Sequence, residues 1–584
     1  MNAVLPVETF VTDHLDLWTA ALKRKSTAGR GSSSKVELYG LKKLRELILE
    51  LAVRGLLVPQ NPNDEPASEL LKKIAAEKAK LAKEGRIKKE KPLPTINDED
   101  APFVVSDGWK WTRIADIGYD FGQKTPDADF TYIDVGAIDN RLGLIDRPGT
   151  LKAEDAPSRA RKLVNRGTVI YSTVRPYLLN VAIVQRDFDP EPIASTAFAV
   201  VHPFEGVVSG YVYRYLRSPS FVSYVESVQT GIAYPAINDR QFFSGLIPLP
   251  PTAEQHRIVA KVDELMVLCD QLEQQTDASL GAHQTLVETL LSVLTSAADH
   301  AQFASAWQRI AGHFDTLFTT EESIAQLKQT ILQLAVMGKL VPQDPDDEPA
   351  RTLLKRIQTE KARLIAEGKI KKDKPLPPIA DDEKPFELPQ SWAWVKPEEF
   401  SIKITDGEHF RPPVEESGVC FLSAKDVREE GVSFDDPLFI SEETARKALQ
   451  RCNPEYGDLL IVSRGATVGR MCKVNTHEKF CLLGSVILVK PTTLVLSDYL
   501  SISLKSPSSF SKLINASGST AQPAIYLKDL KRIAFPLPPI EEQHRIVAKV
   551  DELMILCDQL KSCLSDAQTT QLHLADALVE RAIC

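Results

Sequence analysis

Residues 254–272 read EQHRIVAKVDELMVLCDQL, and residues 542–560 read EQHRIVAKVDELMILCDQL. The two stretches differ only where Val267 stands in the first copy and Ile555 in the second. Apolar residues recur in alternating steps of four and three, which is the spacing of a coiled-coil seam. In the first copy these residues are Ile258, Val262, Leu265, Cys269 and Leu272. The pattern predicts one long helix in each half of the chain, of about 60 Å for residues 254–294 at ~1.5 Å per residue.

A second repeated block lies upstream of each predicted long helix. LAVRGLLVPQNPNDEPASELLKKI begins at Leu51, and LAVMGKLVPQDPDDEPARTLLKRI begins at Leu334. Both blocks join two stretches of helical periodicity, with Gly55 and Gly338 at the first helix end, so each half should open with a helical hairpin. A repeat of about half the chain predicts a tandem duplication rather than a solenoid. Two such halves related by a pseudo-twofold axis should pack their long helices antiparallel, with the globular parts at opposite ends.

The segments between the repeated blocks diverge. Residues 112–247 and 395–535 share only faint landmarks, and they contain short β-prone runs such as Val169–Tyr171 and Leu459–Val462. The predicted fold class is α+β, with two dissimilar domains of mixed sheet and short helices separated by long coiled-coil helices. A duplicated frame with unlike inserts suits a protein that presents two different recognition modules.

Composition restricts the class of protein. The chain has 584 residues, 43% of them hydrophobic, and a formal net charge of −9, whereas a free-standing nucleic-acid binder is usually basic. No apolar run approaches the ~18 residues of a membrane span, and the N-terminal residues lack the pattern of a signal peptide. Its eight cysteines form no C-x-x-C pair, which favours reduced thiols over disulfides or a zinc site. We therefore expect a cytoplasmic protein without membrane contact.

Motifs of nucleotide or cofactor chemistry are missing from the sequence. Neither a phosphate-binding Gly-x-x-x-x-Gly-Lys-Ser/Thr loop nor a Gly-x-Gly-x-x-Gly motif after a strand is present. Asn453-Pro454-Glu455-Tyr456 is similar to the Asn-Pro-Pro-Tyr motif of amino-methyltransferases, but Glu455 breaks it. His256 and His544 occupy equivalent positions on the long helices and are interpreted as helix-surface residues. The sequence predicts a non-catalytic chain without a metal site.

Polar clusters follow predicted strands in both divergent domains. Arg is the preferred bidentate partner of guanine, and small hydroxyl and amide side chains contact bases and phosphates. The candidate DNA-binding residues are Ser172, Thr173, Arg175, Tyr177, Thr230, Tyr234, Asn238, Ser463, Arg464, Thr467, Arg470, Thr520 and Gln522. Pairing within the protein is the alternative role for each of them.

Two basic stretches lie after the hairpins. Residues 67–91 contain nine Lys and Arg against four Glu, and residues 350–374 contain nine against three acidic residues. They could contact DNA phosphates, or they could form solvated helix faces with Glu–Lys pairs.

Four blocks closely resemble the specificity subunit of Type I restriction–modification systems. They are EQHRIVAKVDELM, LAVRGLLVPQNPNDEPASELL, GIAYPAINDRQFFSGLIPLPP and STAQPAIYLKDLKRIAFPLPP. The resemblance covers almost all of residues 41–584 and leaves the first 40 residues outside. It implies that each half carries a target recognition domain for one part of a split DNA sequence, and that the helices set the gap between the parts.

The resemblance also implies partners and cofactors. Two modification subunits would bind this scaffold and carry S-adenosylmethionine, and restriction subunits would use ATP and Mg, so this chain would hold no cofactor itself. Its ligand would be double-stranded DNA. The alternatives are a self-sufficient DNA methyltransferase or nuclease with diverged motifs, or a coiled-coil adaptor that does not bind DNA.

The implied domain boundaries follow from the repeat and the resemblance together. They are 1–40, an N-terminal extension; 41–102, a helical hairpin and basic linker; 103–250, the first recognition domain; 251–300, the central spacer helix; 301–386, a linker and the second hairpin; 387–538, the second recognition domain; and 539–584, the C-terminal spacer helix.

Overall fold

The chain divides into two compact units that follow the duplication. The computed structural model describes residues 7–24, 36–87, 94–231, 233–371, 376–515 and 524–583. Unit 1 comprises Met1–Ser279 with Asp566–Cys584, and unit 2 comprises Leu280–Ser565. Each of the two long helices therefore divides its residues between the units. Within the described ranges, no helix combines the length and apolar character needed to cross a membrane.

Unit 1 contains short helices, a helical hairpin and the start of a long helix. Its helices are α1 (Val7–Asp13), α2 (Leu15–Ala20), α3 (Tyr39–Val53), α4 (Ala67–Lys83), α5 (Ile114–Ile117), α6 (Ser209–Tyr215), α7 (Pro219–Val228), α8 (Asp239–Ser244) and the first part of α9 (Thr252–Ser296). Its strands are β1 (Lys23–Arg24), β2 (Val36–Glu37), β3 (Lys110–Arg113), β4 (Gly118–Tyr119), β5 (Phe130–Ile133), β6 (Ile138–Asp139), β7 (Leu144–Ile145), β8 (Gly149–Leu151), β9 (Ala160–Leu163), β10 (Val169–Ser172), β11 (Val181–Ile183), β12 (Pro192–Ser195), β13 (Phe198–Pro203) and β14 (Leu246–Leu249).

The predicted hairpin of unit 1 is α3 and α4. Leu44, Leu47, Ile48 and Leu51 are buried along one face of α3. The helix ends at Val53 and is followed by Gly55, whose φ of +73° suits glycine, and the amide of Leu56 donates to the carbonyl of Leu51. The apolar periodicity therefore identified both the helix and its end correctly.

The recognition domain of unit 1 holds two four-stranded sheets. One has the order β11-β10-β13-β4 and the other the order β8-β5-β12-β9, while β14 pairs with β3 to connect the domain to α9. Strand β10 is buried on both faces because Val169 and Tyr171 pack into one hydrophobic cluster and Ile170 packs into another. Its edges pair with β11 and β13, with Ile170 opposite Ala182 and Val200. The sheet therefore holds the chain rigidly up to Ser172, where the first candidate loop begins.

Unit 2 repeats this order with different strand lengths. Its helices are the last part of α9, then α10 (His300–Gly312), α11 (Phe314–Leu317), α12 (Glu321–Val336), α13 (Ala350–Ala366), α14 (Pro397–Phe400), α15 (Glu442–Arg451), α16 (Ser497–Lys505), α17 (Pro507–Asn515), α18 (Leu527–Leu530) and most of α19 (Ile540–Ile583). Its strands are β15 (Ala393–Val395), β16 (Ser401–Asp406), β17 (Val419–Leu422), β18 (Val427–Arg428), β19 (Gly431–Val432), β20 (Leu438–Ile440), β21 (Leu459–Val462), β22 (Met471–Lys473), β23 (Phe480–Leu482), β24 (Val486–Pro491) and β25 (Phe535–Leu537). The main sheets have the orders β16-β24-β21-β22 and β20-β17-β23, and β25 pairs with β15.

The long helices contain the predicted seam. Ile258, Val262 and Cys269 are buried in the core of unit 1, and Ile546 and Cys557 are buried in the core of unit 2. The α+β class with long helices is thus confirmed, while the antiparallel packing of the two helices stays a prediction.

Thr252 and Gln255 have the spacing of a capping box, but they do not form one. Thr252 is already helical, and its hydroxyl donates to the carbonyl of Gly206 at 2.7 Å. The Gln255 side chain instead accepts a hydrogen bond from the amide of Val208 at 2.8 Å. Both side chains connect the helix to the recognition domain rather than closing its own first turn.

The N-terminal residues belong to the core of unit 1 and have a counterpart in unit 2. Trp18 is fully buried, and its carbonyl lies so close to Gly40 that a side chain there would clash. His14 stands between α1 and α2 with φ −123° and ψ 22°, and His313 stands between α10 and α11 with φ −127° and ψ 22°. The expected extension is therefore a helix–His–helix element that both halves possess.

Candidate nucleic-acid interface

The first candidate loop leaves β10 and is held in a strained conformation. Arg175 has φ 49° and ψ 58°, a left-handed conformation that is unfavourable for a residue with a side chain. Its amide donates to the carbonyl of Pro235 at 2.8 Å, and its guanidinium lies 5.1 Å from the centroid of the Tyr234 ring. This cation–π contact joins the loop after β10 to the loop before α8. The structure thus brings together two candidates that are 59 positions apart in sequence.

Ser172 and Thr173 support the loop from inside. Both are buried, and the hydroxyl of Ser172 donates to the carbonyl of Val174 at 2.9 Å. The hydroxyl of Thr173 donates to the carbonyl of Ala197 at 2.9 Å. These hydroxyls have partners within the protein, which is the alternative role that the sequence left open for them.

The remaining candidates of unit 1 differ in exposure. Tyr177 is 54% exposed and Tyr234 is 69% exposed, so both rings are available to a ligand. Thr230 exchanges backbone hydrogen bonds of 2.9 Å with Ala236, which closes the loop that carries Tyr234. The side chain of Asn238 caps α8 by accepting from the amide of Gln241. Arg175, Tyr177 and Tyr234 therefore form the accessible group, with Thr230 and Asn238 shaping its base.

A buried lysine stabilises the same edge of the domain. The ammonium of Lys162 on β9 lies 2.7 Å from Asp120 and 2.8 Å from Asp239, the first residue of α8. Burial alone would lower the pKa of Lys162, but the two ion pairs outweigh it and the pKa is raised. The lysine stays charged and ties β9 to the start of α8.

In unit 2 the loop after β21 has a related but shifted geometry. Ser463 is buried, and its carbonyl accepts from the amide of Ile525 at 2.9 Å, as that of Thr173 accepts from Ile237. Arg464, which is exposed, forms an isolated bridge with Ala524, as Val174 does with Ala236 in unit 1. By these contacts Arg464 corresponds to Val174, so the two loops share their backbone contacts and only the arginine is shifted, by one position.

Thr467 and Arg470 lie deeper than Arg464. Both line a cavity of about 790 Å³ that is also bounded by Lys328 of α12, Asp498 of α16 and Asp551 of α19. Arg464 does not line this cavity. Thr520 and Gln522 lie outside the described residues.

Sequence reasoning missed the loop that follows β16. Phe410 is 87% exposed and stands between His409 and Arg411. The amide of Glu408 donates to the carbonyl of Leu482 at 2.7 Å, next to the turn whose Ser485 carbonyl accepts from the amide of Ser463. The loop is therefore a neighbour of the Arg464 loop. The available signal was the run His409-Phe410-Arg411 directly after a β-prone segment and before two prolines.

The helical parts of the basic stretches form local pairs. Lys72 lies 2.7 Å from Glu69 and Lys73 lies 2.6 Å from Glu65, while Arg356 lies 2.7 Å from Glu348. Residues 88–93 and 372–375 lie outside the described residues. For Lys72 and Lys73 of α4 and Arg356 of α13, the structure thus favours the second alternative, a solvated helix face with ion pairs.

Comparison with known proteins identifies the family. The family model described as "Type I restriction modification DNA specificity domain" matches residues 421–565. The Type I restriction enzyme EcoAI specificity subunit of Escherichia coli is 43% identical over 591 residues, which cover 99% of this chain and 100% of that protein. This chain belongs to the Type I restriction enzyme specificity subunits. Its function is therefore DNA recognition, and as a specificity subunit it is a non-catalytic component of a restriction–modification complex.

A second relative agrees with this assignment, and a solved structure shows a more distant similarity. The EcoEI specificity subunit of Escherichia coli is 40% identical over 604 residues, with 99% of this chain and 100% of that protein covered. The crystal structure of the HsdS subunit from Thermoanaerobacter tengcongensis is 24% identical, covers 82% of this chain and 98% of that chain, and has a TM-score of 0.44. Because the EcoAI match covers 99% of this specificity subunit, the similarity includes residues before 41 that were expected to lie outside it.

Proposed function

We propose that each unit of this specificity subunit reads one half of a bipartite sequence in double-stranded DNA. The observation that carries the proposal is the combination of a repeated frame with unlike recognition loops. The two halves share the hairpin, the helix–His–helix element and the long helix, whereas the loops after β10 and β21 (173–180 and 463–470), although equal in length, differ in sequence and in the position of their arginine. Two unlike loops on like frames suit two unlike half-sites.

In unit 1 we propose that Arg175, Tyr177 and Tyr234 contact DNA. Arg175 offers the donor fork that matches guanine, and Tyr234 holds the guanidinium in place by stacking beneath it. The buried hydroxyls of Ser172 and Thr173, with Thr230 and Asn238, position this group rather than touch bases.

In unit 2 we propose that Arg464 and the loop of His409, Phe410 and Arg411 contact DNA. Exposed charge and an exposed aromatic ring occur together there, and both suit nucleic acid. Ser463 plays the supporting role of Thr173. For Thr467 and Arg470 their partial burial favours a role in positioning the loop, and Thr520 and Gln522 remain proposed contacts.

Other chains would perform the reaction. We propose two modification subunits that carry S-adenosylmethionine, and restriction subunits that use ATP and Mg, while this chain holds no cofactor. The net charge of −9 supports a shared interface, because phosphate contacts from partners would supply the non-specific part of the affinity. The proposed location is the cytoplasm.

Selection from a random duplex library tests the proposal. The full chain is incubated with its modification subunits, and the retained duplexes are sequenced. We expect two short fixed blocks separated by a gap of constant length. A single continuous block would contradict bipartite reading. No enrichment would favour an adaptor that does not bind DNA, and tight S-adenosylmethionine binding by the single chain would favour a self-sufficient enzyme.

A further inference from the structure

Each long helix begins with a hydrogen-bonded cluster that joins three elements and is buried at its tryptophan, its glutamate and the glutamine that follows this glutamate. We call it the helix-start latch. It consists of Gln60, Asp64, Trp109, Glu254, Gln255 and Arg257 in unit 1, and of Gln343, Asp347, Trp392, Glu542, Gln543 and Arg545 in unit 2.

The centre of the latch in unit 1 is the carboxylate of Glu254. One of its oxygens accepts from the indole of Trp109 at 3.0 Å, just before strand β3 of the recognition domain. The other oxygen accepts from the amide of Gln60 at 2.6 Å, in the turn between α3 and α4. One side chain of α9 therefore fixes two other elements at once, and each oxygen serves a different element.

Two neighbouring side chains complete the connection. Gln255, fully buried, accepts from the amide of Val208 at the start of α6 and donates to the carbonyl of Pro250 at 3.0 Å. Arg257 pairs with Asp64 of the hairpin turn at 2.6 Å. The recognition domain is thus attached to α9 at β3 and at α6, two separate points of its surface.

Unit 2 reproduces the latch with nearly the same distances. Glu542 accepts from the indole of Trp392 at 2.8 Å and from the amide of Gln343 at 2.5 Å. Gln543 accepts from the amide of Leu496 at 3.0 Å and donates to the carbonyl of Pro538 at 3.1 Å. The aromatic contacts match as well.

In each unit, the indole of the latch tryptophan packs edge-on against a buried tyrosine. The ring centroids of Trp109 and Tyr211 are 6.3 Å apart at 83°, and those of Trp392 and Tyr499 are 6.4 Å apart at 85°. The recognition domains differ in sheet and loop, yet the same atoms attach both to their helices. The role of the latch is therefore independent of the DNA sequence that each recognition domain reads.

Burial of the carboxylates of Glu254 and Glu542 would by itself lower the stability of the fold. Burial raises the pKa of Glu254 and of Glu542, and the hydrogen bonds from tryptophan and glutamine partly oppose this. Well-packed apolar residues often match or exceed a buried polar pair in stability, so such a cluster is best explained by the geometry that it imposes.

We propose that the helix-start latch fixes the orientation of each recognition domain on its own long helix, and that its residues are positioning residues for the gap between the two half-sites. The inference rests on the proposed bipartite function. A domain that can tilt on its helix still presents the same loop to the same bases, but it reaches them at more than one distance from the other half-site.

The test is Glu254→Gln in the full chain with its modification subunits. A glutamine has one acceptor oxygen and one amino group, so with Trp109 on its oxygen its amino group faces that of Gln60. The Gln60 amide must then turn over and give up its 3.3 Å hydrogen bond to the carbonyl of Gly55, or leave the cluster. Binding is measured on duplexes that carry both selected half-sites with gaps of the preferred length and one base pair shorter or longer. We expect the wild type to favour the preferred gap by at least about tenfold, and the variant to favour it by less than about threefold.

A milder variant and a matched control keep the result interpretable. Trp109→Phe keeps a ring beside Tyr211 but removes the indole donor, and it should broaden the gap preference in the same direction. His256→Ala changes an exposed residue two positions along the same helix and should leave the gap preference as in the wild type. Circular dichroism and thermal melting verify that each variant is folded.

Two outcomes would overturn the inference. The first is that folded Glu254→Gln and Trp109→Phe chains keep the wild-type gap preference. The second is that they lose discrimination between half-site bases together with the gap preference. Failure of the proposed function is a different result, because the wild type itself would then show no fixed gap.

Discussion

Replacement of Arg175 by alanine is the sharpest test of base reading in unit 1. Among the described residues, Arg175 is one of two non-glycine residues with a left-handed backbone conformation. Its backbone is fixed by the hydrogen bond from its amide to the carbonyl of Pro235. Its guanidinium stacks on Tyr234 at 5.1 Å, so it is oriented before DNA arrives. We infer that the strain of this conformation is retained because it directs the guanidinium outward.

The magnitude follows from what is removed. A bidentate arginine–guanine contact contributes about 1–3 kcal/mol of discrimination, which is about 5- to 150-fold in affinity. Loss of the exposed cation–π contact should cost the free protein only about 0.5–1 kcal/mol. Arg175→Ala should therefore weaken binding of one base pair in one half-site much more than it lowers the free energy of unfolding.

The assay is competition between the selected duplex and duplexes with single base-pair changes. We expect Arg175→Ala to abolish the preference at one position and to leave the other positions intact. Arg175→Lys should restore only part of the preference for guanine, because an ammonium lacks the planar fork of a guanidinium. Arg186→Ala is the matched control, since Arg186 stacks on Phe188 at 4.9 Å outside the candidate loop. A uniform loss on all sequences, with rescue by lysine, would refute base reading and indicate a phosphate contact.

Three further predictions concern other parts of the chain. Trp18→Ala should lower the free energy of unfolding of unit 1 by about 3–5 kcal/mol in urea titrations, because a fully buried indole is deleted; a change near zero would contradict the core role of the N-terminal helices. Phe410→Ala should weaken recognition of one half-site only, whereas Tyr456→Ala, an exposed ring stacked on His477 elsewhere in unit 2, should not; equal effects would exclude a special role for Phe410. The raised pKa values of Glu254 and Glu542 mean that folding favours their protonated forms, so their contribution to stability falls as pH rises above the unfolded value of about 4.3. The double variant Glu254→Gln/Glu542→Gln should lack this contribution in denaturant titrations as the pH rises from about 4.3, and an unchanged pH dependence of the free energy of unfolding would contradict burial as the cause.

The frame could be predicted from the sequence because its signals are local or repeated. Periodicity located α3 and the seam of α9, and Gly55 marked a helix end that the structure confirms. The internal repeat then predicted the division into two units without any structural information. Such features depend on turn residues and on the spacing of apolar residues within a short stretch of the chain.

The loops could not be assigned in the same way, because their geometry depends on distant contacts. The stacking of Arg175 on Tyr234 needs the turn closed by Thr230 and Ala236, and the burial of Ser172 needs the sheet around it. In the sequence, the latch residues appear only as identical residues in the two repeats. Their pairing could not be predicted, because Glu254 contacts Trp109 and Gln60, which lie more than a hundred positions away. The helix–His–helix element was missed because only its backbone repeats clearly, not its sequence.

Exchange of residues 103–250 for the same domain of another specificity subunit tests the central claim most directly. The methylated adenines of a genome are mapped with the original and with the exchanged chain. If each unit reads its own half-site, one half of the recognised sequence changes, and the other half stays as before. A change in both halves, or in neither, would contradict the account.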